Sequence, residues 1–340
     1  MKPVDPVYPY GPACAKGVIK SSPADFVVIE ELGFEPSGEG EHLLLQVEKT
    51  GMTTADLIRR IATDYSMHPR NIGYCGLKDR NAVTTQWLSL HLPGREVNVI
   101  DPADDAYRVL RASRHRAKLR RGTHKANSFH LRIRGLGECN DNCLRQLDAI
   151  QSQGMANYYG RQRFGRGQDN LEQALAQLSA TRVKPMRRSM LISSLRSHLF
   201  NSVLARRISQ DCWQRPLAGD VFMLRGSRSI FSTALDAALQ RRYAELDISS
   251  TASLYGSGKS LLSGEALQLE RRVFDENDAI TACLDRHGAR LQMRALRVPV
   301  EDLDYEFDKV RRLLELRLRL PAGSYATVLL EHFMHAVETG

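Results

Sequence analysis

The amino-acid sequence predicts an α+β or mixed α/β fold arranged in two lobes. Strand-like and helical patterns alternate irregularly, without the βαβ regularity that builds a doubly wound sheet. The chain has 340 residues, more than one average domain. Hydrophobic residues make up 42% and charged residues 26%, which supplies a packed core and argues against bulk disorder.

The elements follow in order. Residues 17–32 hold GVIK, a turn at SSPAD and FVVIEEL, and residues 43–48 read LLLQVE. These β-rich runs, bounded by Pro, Ser and Gly, read as strands. Thr53 and Thr54 can cap a helix with Leu57, Ile58, Ile61 and Tyr65 at helical spacing, which Pro69 ends. A short strand around Ile72 leads into YCGLKDRNAVTTQ (74–86). In the run TTQWLSLHL, Leu88, Leu90 and Leu92 alternate with polar residues. The charged stretch is therefore a turn joining two strands. The tract RVLRASRHRAKLRRGTHK (108–125) runs into NSFHLRIR. There Asn127, Phe129, Leu131 and Ile133 share one strand face, and His130, Arg132 and Arg134 share the other.

A helix is predicted from Asn142 to Gln153. NYYGRQRFGRG (157–167) is rich in glycine, arginine and aromatics. From Ser189 onward, Leu191, Ile192, Leu195, Leu199, Val203 and Leu204 recur at helical spacing. Residues 216–270 carry Gly and Ser turns between short strand-like pieces whose order the pattern leaves open. In LRLRLP, Leu316, Leu318 and Leu320 share a face. Pro321 and Gly323 end that strand, and Ser324 can cap a last helix with Val328, Leu329, His332 and Phe333.

Charge and cysteine usage narrow the function classes. The formal charge is +9, from 48 Lys+Arg against 39 Asp+Glu. That excess favours a polyanionic partner, nucleic acid before an anionic membrane. The six cysteines (Cys14, Cys75, Cys139, Cys143, Cys212, Cys283) are scattered without a CxxC pair. Cys139 and Cys143 lie four apart with no second ligand pair nearby, which argues against zinc and for free thiols in a reducing compartment. MKPVDPVYPYGPAC lacks an apolar core of signal-peptide length, and no apolar run approaches membrane-spanning length. The expectation is a soluble, cytoplasmic protein with no membrane partner, and a monomer.

Three constellations could carry chemistry. YGSGKS (255–260) resembles the end of a phosphate-binding loop, but the first glycine of that pattern would fall at position 253, which is Ser253. The preceding SSTASLY is too small and polar to read as the strand such a loop follows, and Pro299 interrupts the downstream LRVPVED. A Gly/Ser turn followed by a lysine is the plainer reading. The basic tract and NYYGRQRFGRG suit phosphate contacts and stacking of unpaired bases on aromatics. Asp79, between Lys78 and Arg80, is ordinarily a structural turn residue. A nucleophilic aspartate must be ionised, and neighbouring cations favour that form. The residues alone thus leave open an RNA-acting enzyme, a non-catalytic RNA-binding module, and a nucleotide hydrolase using Gly258, Lys259 and Ser260.

Several segments together resemble the TruD family of tRNA pseudouridine synthases: SSPADFVVIEEL (21–32), GYCGLKDRNAVTTQ (73–86), KANSFHLRIRG (125–135), NYYGRQRFG (157–165), RSMLISSLRSHLFN (188–201) and LPAGSYATVLLEH (320–332). The resemblance implies an isomerase that converts uridine-13 of tRNA to pseudouridine. It implies an α+β catalytic domain with a curved antiparallel sheet and helices, made of residues 1–152 and 303–340, and an inserted α/β (TRUD) domain at 153–302. By motif it implies Asp79 as the catalytic aspartate, acting on a flipped-out uridine. Phe26, Asn127, Phe129 and Tyr325 would line the uridine pocket, with Lys20 and Gln86 joining them. Tyr325 stands where the family pattern often has phenylalanine. The reaction breaks the N1–C1′ bond and joins C5 to C1′ without redox change, so it implies no metal and no cofactor.

Overall fold

The structure, a computed structural model, describes residues 4–95, 99–100, 102, 106–137, 141–164, 170–179 and 183–338. In chain order its elements are β1 (Ala15–Ile19), β2 (Phe26–Glu31), β3 (His42–Thr50), α1 (Thr54–Asp64), β4 (Ile72–Tyr74), β5 (Val83–His91), β6 (Tyr107–His115), β7 (Ala126–Ile133), α2 (Asp141–Gln153), β8 (Met155–Ala156), α3 (Asn170–Ser179), α4 (Pro185–Ser209), β9 (Phe222–Leu224), β10 (Ile230–Phe231), α5 (Ala237–Ala244), β11 (Ile248–Leu254), α6 (Gly264–Asp275), α7 (Asp278–Arg286), β12 (Gln292–Ala295), β13 (Arg297–Val298), β14 (Glu301–Asp308), β15 (Leu313–Pro321), α8 (Ala326–Glu331) and β16 (Met334–Glu338). The class is α+β, as the irregular alternation predicts. The chain divides into two compact units. A strand-rich unit takes Cys14–Asn140, Val300–Gly323 and Met334–Gly340, and a helix-rich unit takes Met1–Ala13, Asp141–Pro299 and Ser324–Phe333.

The strand-rich unit is built on a sheet of order β14-β15-β7-β2-β5-β3-β6, with β4 also paired to β5. Its ladders are antiparallel except for β2 with β5, which run parallel. Two register shifts, at Gln46/Val47 and at Glu301/Asp304, bend the sheet. α1 covers one face. The Thr53 hydroxyl accepts from Asp56 N and the Asp56 carboxylate accepts from Thr53 N, a reciprocal cap that starts the helix. Leu57 and Ile61, one turn apart, then pack on Leu43, Leu45, Val47, Leu88 and Leu90. Leu44 and Trp87 point the other way, onto Leu32, Cys75 and Leu119. The Leu alternation around 316–320 is realised in β15, which pairs along the whole of β7. β16 lies parallel beside β1. Gly73 in β4 is required sterically, because a Cβ there would sit 2.5 Å from the Leu119 carbonyl oxygen.

In the helix-rich unit the 25-residue α4 starts at Pro185, four residues earlier than its apolar pattern suggests, since proline suits a helix's first turn. β9, β10, β11 and β12 form a sheet of order β10-β9-β11-β12, which orders the pieces left open by the sequence. Leu239 and Tyr243 of α5 pack on Phe222 and Ile248 of this sheet. A buried ion pair, Arg207 with Asp220, lies beneath; Asp220 Oδ2 also accepts from Leu217 N at 2.8 Å and Ser250 Oγ at 2.7 Å. Two features differ from the sequence pattern. SSTASL does form a strand, buried β11, because its hydroxyls are satisfied internally: Ser250 by Asp220, Thr251 by the Val221 carbonyl at 2.8 Å, Ser253 by Glu270 at 2.7 Å. The last helix has Tyr325, not Ser324, at its N-cap position and no side-chain cap, and the Ser324 hydroxyl donates instead to Asn157 Oδ1 at 3.4 Å.

Candidate active site

The loop that joins β4 to β5 carries Asp79, and its shape is fixed by the turn between β3 and α1. Lys78 N donates to Thr54 Oγ1 at 2.8 Å, and Arg80 Nε donates to the Gly51 carbonyl at 2.9 Å. Lys49 Nζ donates to the Asp79 carbonyl at 2.8 Å. With its main chain held, Asp79 presents a carboxylate that is 44% exposed.

The cation at that carboxylate is Lys20, whose Nζ lies 3.0 Å from Asp79 Oδ2 and 3.0 Å from Glu338 Oε1. Lys20 is only 4% exposed. Burial opposes its charge, but Asp79 and Glu338 outweigh burial and hold its ammonium above the ordinary lysine value. Lys20 adopts φ +57° just after β1, a left-handed conformation that turns the chain, and its carbonyl accepts from Asn81 Nδ2 at 3.1 Å. The sequence points to Lys78 and Arg80 as the neighbouring cations, and the geometry differs. Adjacent residues in this loop face apart. Lys78 Nζ reaches Glu30 Oε2 at 3.0 Å and Asn127 Oδ1 at 2.5 Å, while Arg80 reaches back to Gly51.

Phe26 opens β2, and Phe129 sits on the neighbouring β7. Their rings meet edge to face, centroids 6.3 Å apart at 78°. Lys20 Nζ stands 4.7 Å from the Phe26 ring centre. Phe26 is buried and Phe129 half-buried. Asn127 connects through Lys78 to Glu30, whose other oxygen accepts from Trp87 N at 3.0 Å. Gln86 is fully buried; its Oε1 accepts from Thr54 Oγ1 at 3.0 Å, so it supports the loop from beneath. The strand-rich unit thus gathers Lys20, Phe26, Asp79, Gln86, Asn127 and Phe129 around one loop. Tyr325 belongs to the helix-rich unit, where it precedes α8 with its ring 6.4 Å from that of Tyr159.

Glu30, Lys49 and Glu338 escape the sequence reading, although a signal for two of them exists, and Thr54, a cap candidate by sequence, instead bonds Gln86 and Lys78 N. Period-2 alternation puts Lys49 on the face of Leu43, Leu45 and Val47, and Glu30 on the face of Phe26 and Val28. A charged side chain on an apolar strand face is the mark of a built contact.

The two RNA-contact segments fare unequally. Tyr158, Tyr159 and Phe164 are buried, so those aromatics serve the core rather than base stacking. Tyr159 is fixed by Asn201, which accepts from its N–H and donates to its carbonyl, both at 2.9 Å, and by Arg294 over its ring. Arg161 and Arg163 stay exposed, and residues 165–167 of this motif lie outside the described residues. In the basic tract Arg108, Arg111 and Arg116 pair with Glu48, Glu35 and Glu39 at the surface, pairs weak enough to exchange for phosphates. The GSGKS loop is tied by its main chain, Ser257 N donating to the Ala289 carbonyl at 2.6 Å and Leu291 N to the Ser257 carbonyl at 3.0 Å, while Ser257, Gly258 and Lys259 stay exposed. α6 begins only at Gly264, so the loop does not open a helix as a phosphate-binding loop must. Cys143 is buried in α2, and Cys139 lies outside the described residues. Among the described residues no helix is long and apolar enough to cross a membrane.

Comparison with known proteins gives consistent findings. The family model described as tRNA pseudouridine synthase D (TruD) matches residues 7–174 and 167–333. The tRNA pseudouridine synthase D of Aeromonas salmonicida (strain A449) is 41% identical over 336 residues, covering 97% of this chain and 94% of that protein. That of Methylococcus capsulatus (strain ATCC 33009 / NCIMB 11132 / Bath) is 41% identical over 334 residues, covering 96% and 93%. In fold, the chain is similar to a crystal structure from Methanosarcina mazei described as a tRNA pseudouridine synthase D, with TM-score 0.69 at 20% identity over 98% of this chain and 95% of that one.

Proposed function

Because the chain belongs to the tRNA pseudouridine synthase D family, we propose that it isomerises uridine-13 of tRNA to pseudouridine, with Asp79 as the nucleophile acting on a flipped-out uridine. The observation that carries this reading is the asymmetry of one ion pair: an exposed Asp79 carboxylate fixed by a buried Lys20 ammonium at 3.0 Å. Here the cation is hidden and the carboxylate faces outward, oriented by a buried partner that Glu338 also holds.

The reaction asks little else of the protein. The N1–C1′ bond breaks, the uracil turns, C5 bonds to C1′, and the C5 proton leaves as N1 gains one. No electrons are transferred to or from the base, so the balance calls for no cofactor. The base must first leave its stack, at a cost of a few kcal/mol. The half-exposed Phe129 ring, braced edge-on by Phe26, offers a surface on which the uracil can stack. We assign Asn127, whose Oδ1 accepts from Lys78 Nζ, to the uridine pocket on its motif.

We assign the catalytic domain to residues 1–152 and 303–340 and the inserted TRUD domain to 153–302. The grouping of Cys14–Asn140 with Val300–Gly323 and Met334–Gly340 supports a catalytic domain drawn from separated stretches of the chain, although the same division sets 1–13, 141–152 and 324–333 with the helix-rich unit. Tyr325 we assign to the uridine pocket on its motif alone. We propose tRNA as the partner, the cytoplasm as the compartment and a monomer as the working state.

The test is the isosteric Asp79→Asn variant, assayed for pseudouridine at position 13 of tRNA by carbodiimide mapping. Turnover should fall by about a thousandfold or more, the scale of losing a nucleophile. Wild-type turnover in this variant would remove Asp79 from the mechanism. Salt-sensitive tRNA binding with no new nucleoside from the wild-type protein would instead mark a binding module.

A further inference from the structure

We infer that Lys49 is a positioning residue for the reaction: its buried ammonium clamps the main chain of Asp79 to the turn that follows β3. The inference rests on the reading of Asp79 as the reacting carboxylate. Lys49 is 1% exposed and lies on the apolar face of β3. Its Nζ donates to two main-chain carbonyls, Met52 at 2.6 Å and Asp79 at 2.8 Å. The first belongs to the turn that enters α1, and the second is the peptide of the nucleophile itself. Arg80 and the Lys78 N–H bind the same turn through Gly51 and Thr54, but they hold the residues on either side of Asp79. Lys49 holds the residue that reacts.

A lysine is a poor choice for this position if packing were all it did. Burying an ammonium costs free energy, and a methionine would fill similar space without that cost. What methionine cannot do is donate to the Asp79 carbonyl. Charge assistance strengthens both donated bonds while the amine stays protonated. The charged groups that act on Lys49 are Asp79 and Lys78 from the loop and Asp56 from α1; its neighbours in register on β5 and β6 are Thr84 and Tyr107. Burial pushes the Lys49 ammonium down to about 8; Asp79 and Asp56 oppose that shift, and Lys78 adds to it. As pH rises through that value the amine loses its charge and the clamp weakens.

The experiment measures single-turnover pseudouridine formation across pH for the wild type and Lys49→Met, with tRNA affinity and thermal melting measured alongside. The wild-type rate should fall as pH rises through about 8. Lys49→Met should melt no lower than wild type, bind tRNA as tightly, and react about a hundredfold more slowly, the cost of a misplaced reacting group. Its alkaline fall should be gone. A full rate, or an unchanged alkaline fall, in Lys49→Met overturns the inference. If that variant does not fold, the wild-type profile decides: a flat profile through this range overturns the inference and a fall supports it. Asp79→Asn run in parallel separates the two claims. If it is inactive while Lys49→Met is fully active, only the clamp fails. If it is active, both fail.

Discussion

Mild acid should loosen the helix-rich unit through one imidazole. His332 is fully buried at the end of α8. Its Nε2 accepts from Ala156 N at 2.9 Å, and its Nδ1–H donates to the Val328 carbonyl at 2.8 Å. Both ring nitrogens are used by the neutral form. A proton on Nε2 would set N–H against N–H in a site closed to water. Burial accordingly pushes the ring from 6.5 down to about 4, against the opposing hydrogen bond to Val328. The sign follows from where protons bind. Between those values the unfolded chain takes up a proton that the folded unit refuses, so stability is full above about 6.5 and is lost as pH falls. The loss reaches about 2 kcal/mol near pH 5 and levels off near 3 kcal/mol below both values. The assay is urea unfolding at neutral and acidic pH, followed by tryptophan fluorescence. The sequence has two tryptophans, and a Trp87→Phe background leaves Trp213 to report on the unit that holds His332. His198, also pushed down by burial, contributes in the same direction, so the informative quantity is the difference between this background and His332→Gln within it. The variant should lose about 2 kcal/mol less between neutral pH and pH 5. Equal losses in the two proteins would refute the assignment.

Two further perturbations bear on the site and on its scaffold. Phe129→Ala should lower stability by about 1–2 kcal/mol, less than the ~3–5 kcal/mol of a fully buried phenylalanine, while single-turnover rate falls far more. A collapsed melting transition would make Phe129 a core residue only. Asp220→Ala leaves Arg207 buried without its carboxylate and strips acceptors from Leu217 N and Ser250. It should cost about 3–5 kcal/mol in urea unfolding read at Trp213, and a loss below about 1 kcal/mol would contradict the accounting.

What the sequence revealed, and what it hid, divides along a physical line. Local rules were legible. Thr53 caps α1 as its residue type and spacing suggest, Leu316, Leu318 and Leu320 all point inward, and the turn carrying Asp79 does join two paired strands. Features set by distant partners were hidden. Lys20 meets Asp79 across 59 positions and Glu338 across 318, and its backbone sits where few non-glycine residues do. Nothing near Asp79 in sequence could show that Lys78 turns away from it. Tyr158 and Tyr159, in a segment that composition likens to an RNA surface, are buried, because exposure depends on what the rest of the chain brings against them. β11 was obscured for a related reason: its serines and threonine look like turn residues until Asp220, Val221 and Glu270 supply their hydrogen-bond partners.

The order of strands in the sheet has a consequence for synthesis. β7 takes β2 on one edge and β15 on the other, so from Ile133 until Leu313 is made that second edge has no partner. At ribosomal speeds that interval is on the order of ten to forty seconds. β1 waits longer still for β16, and with it Lys20 waits for Glu338. The nascent sheet must pass this time with a hydrogen-bonding edge open, a state prone to pairing with other chains. Most of what holds the Asp79 loop is made early, since Lys20, Lys49, Gly51 and Thr54 all precede it; only the Glu338 carboxylate on Lys20 arrives with β16.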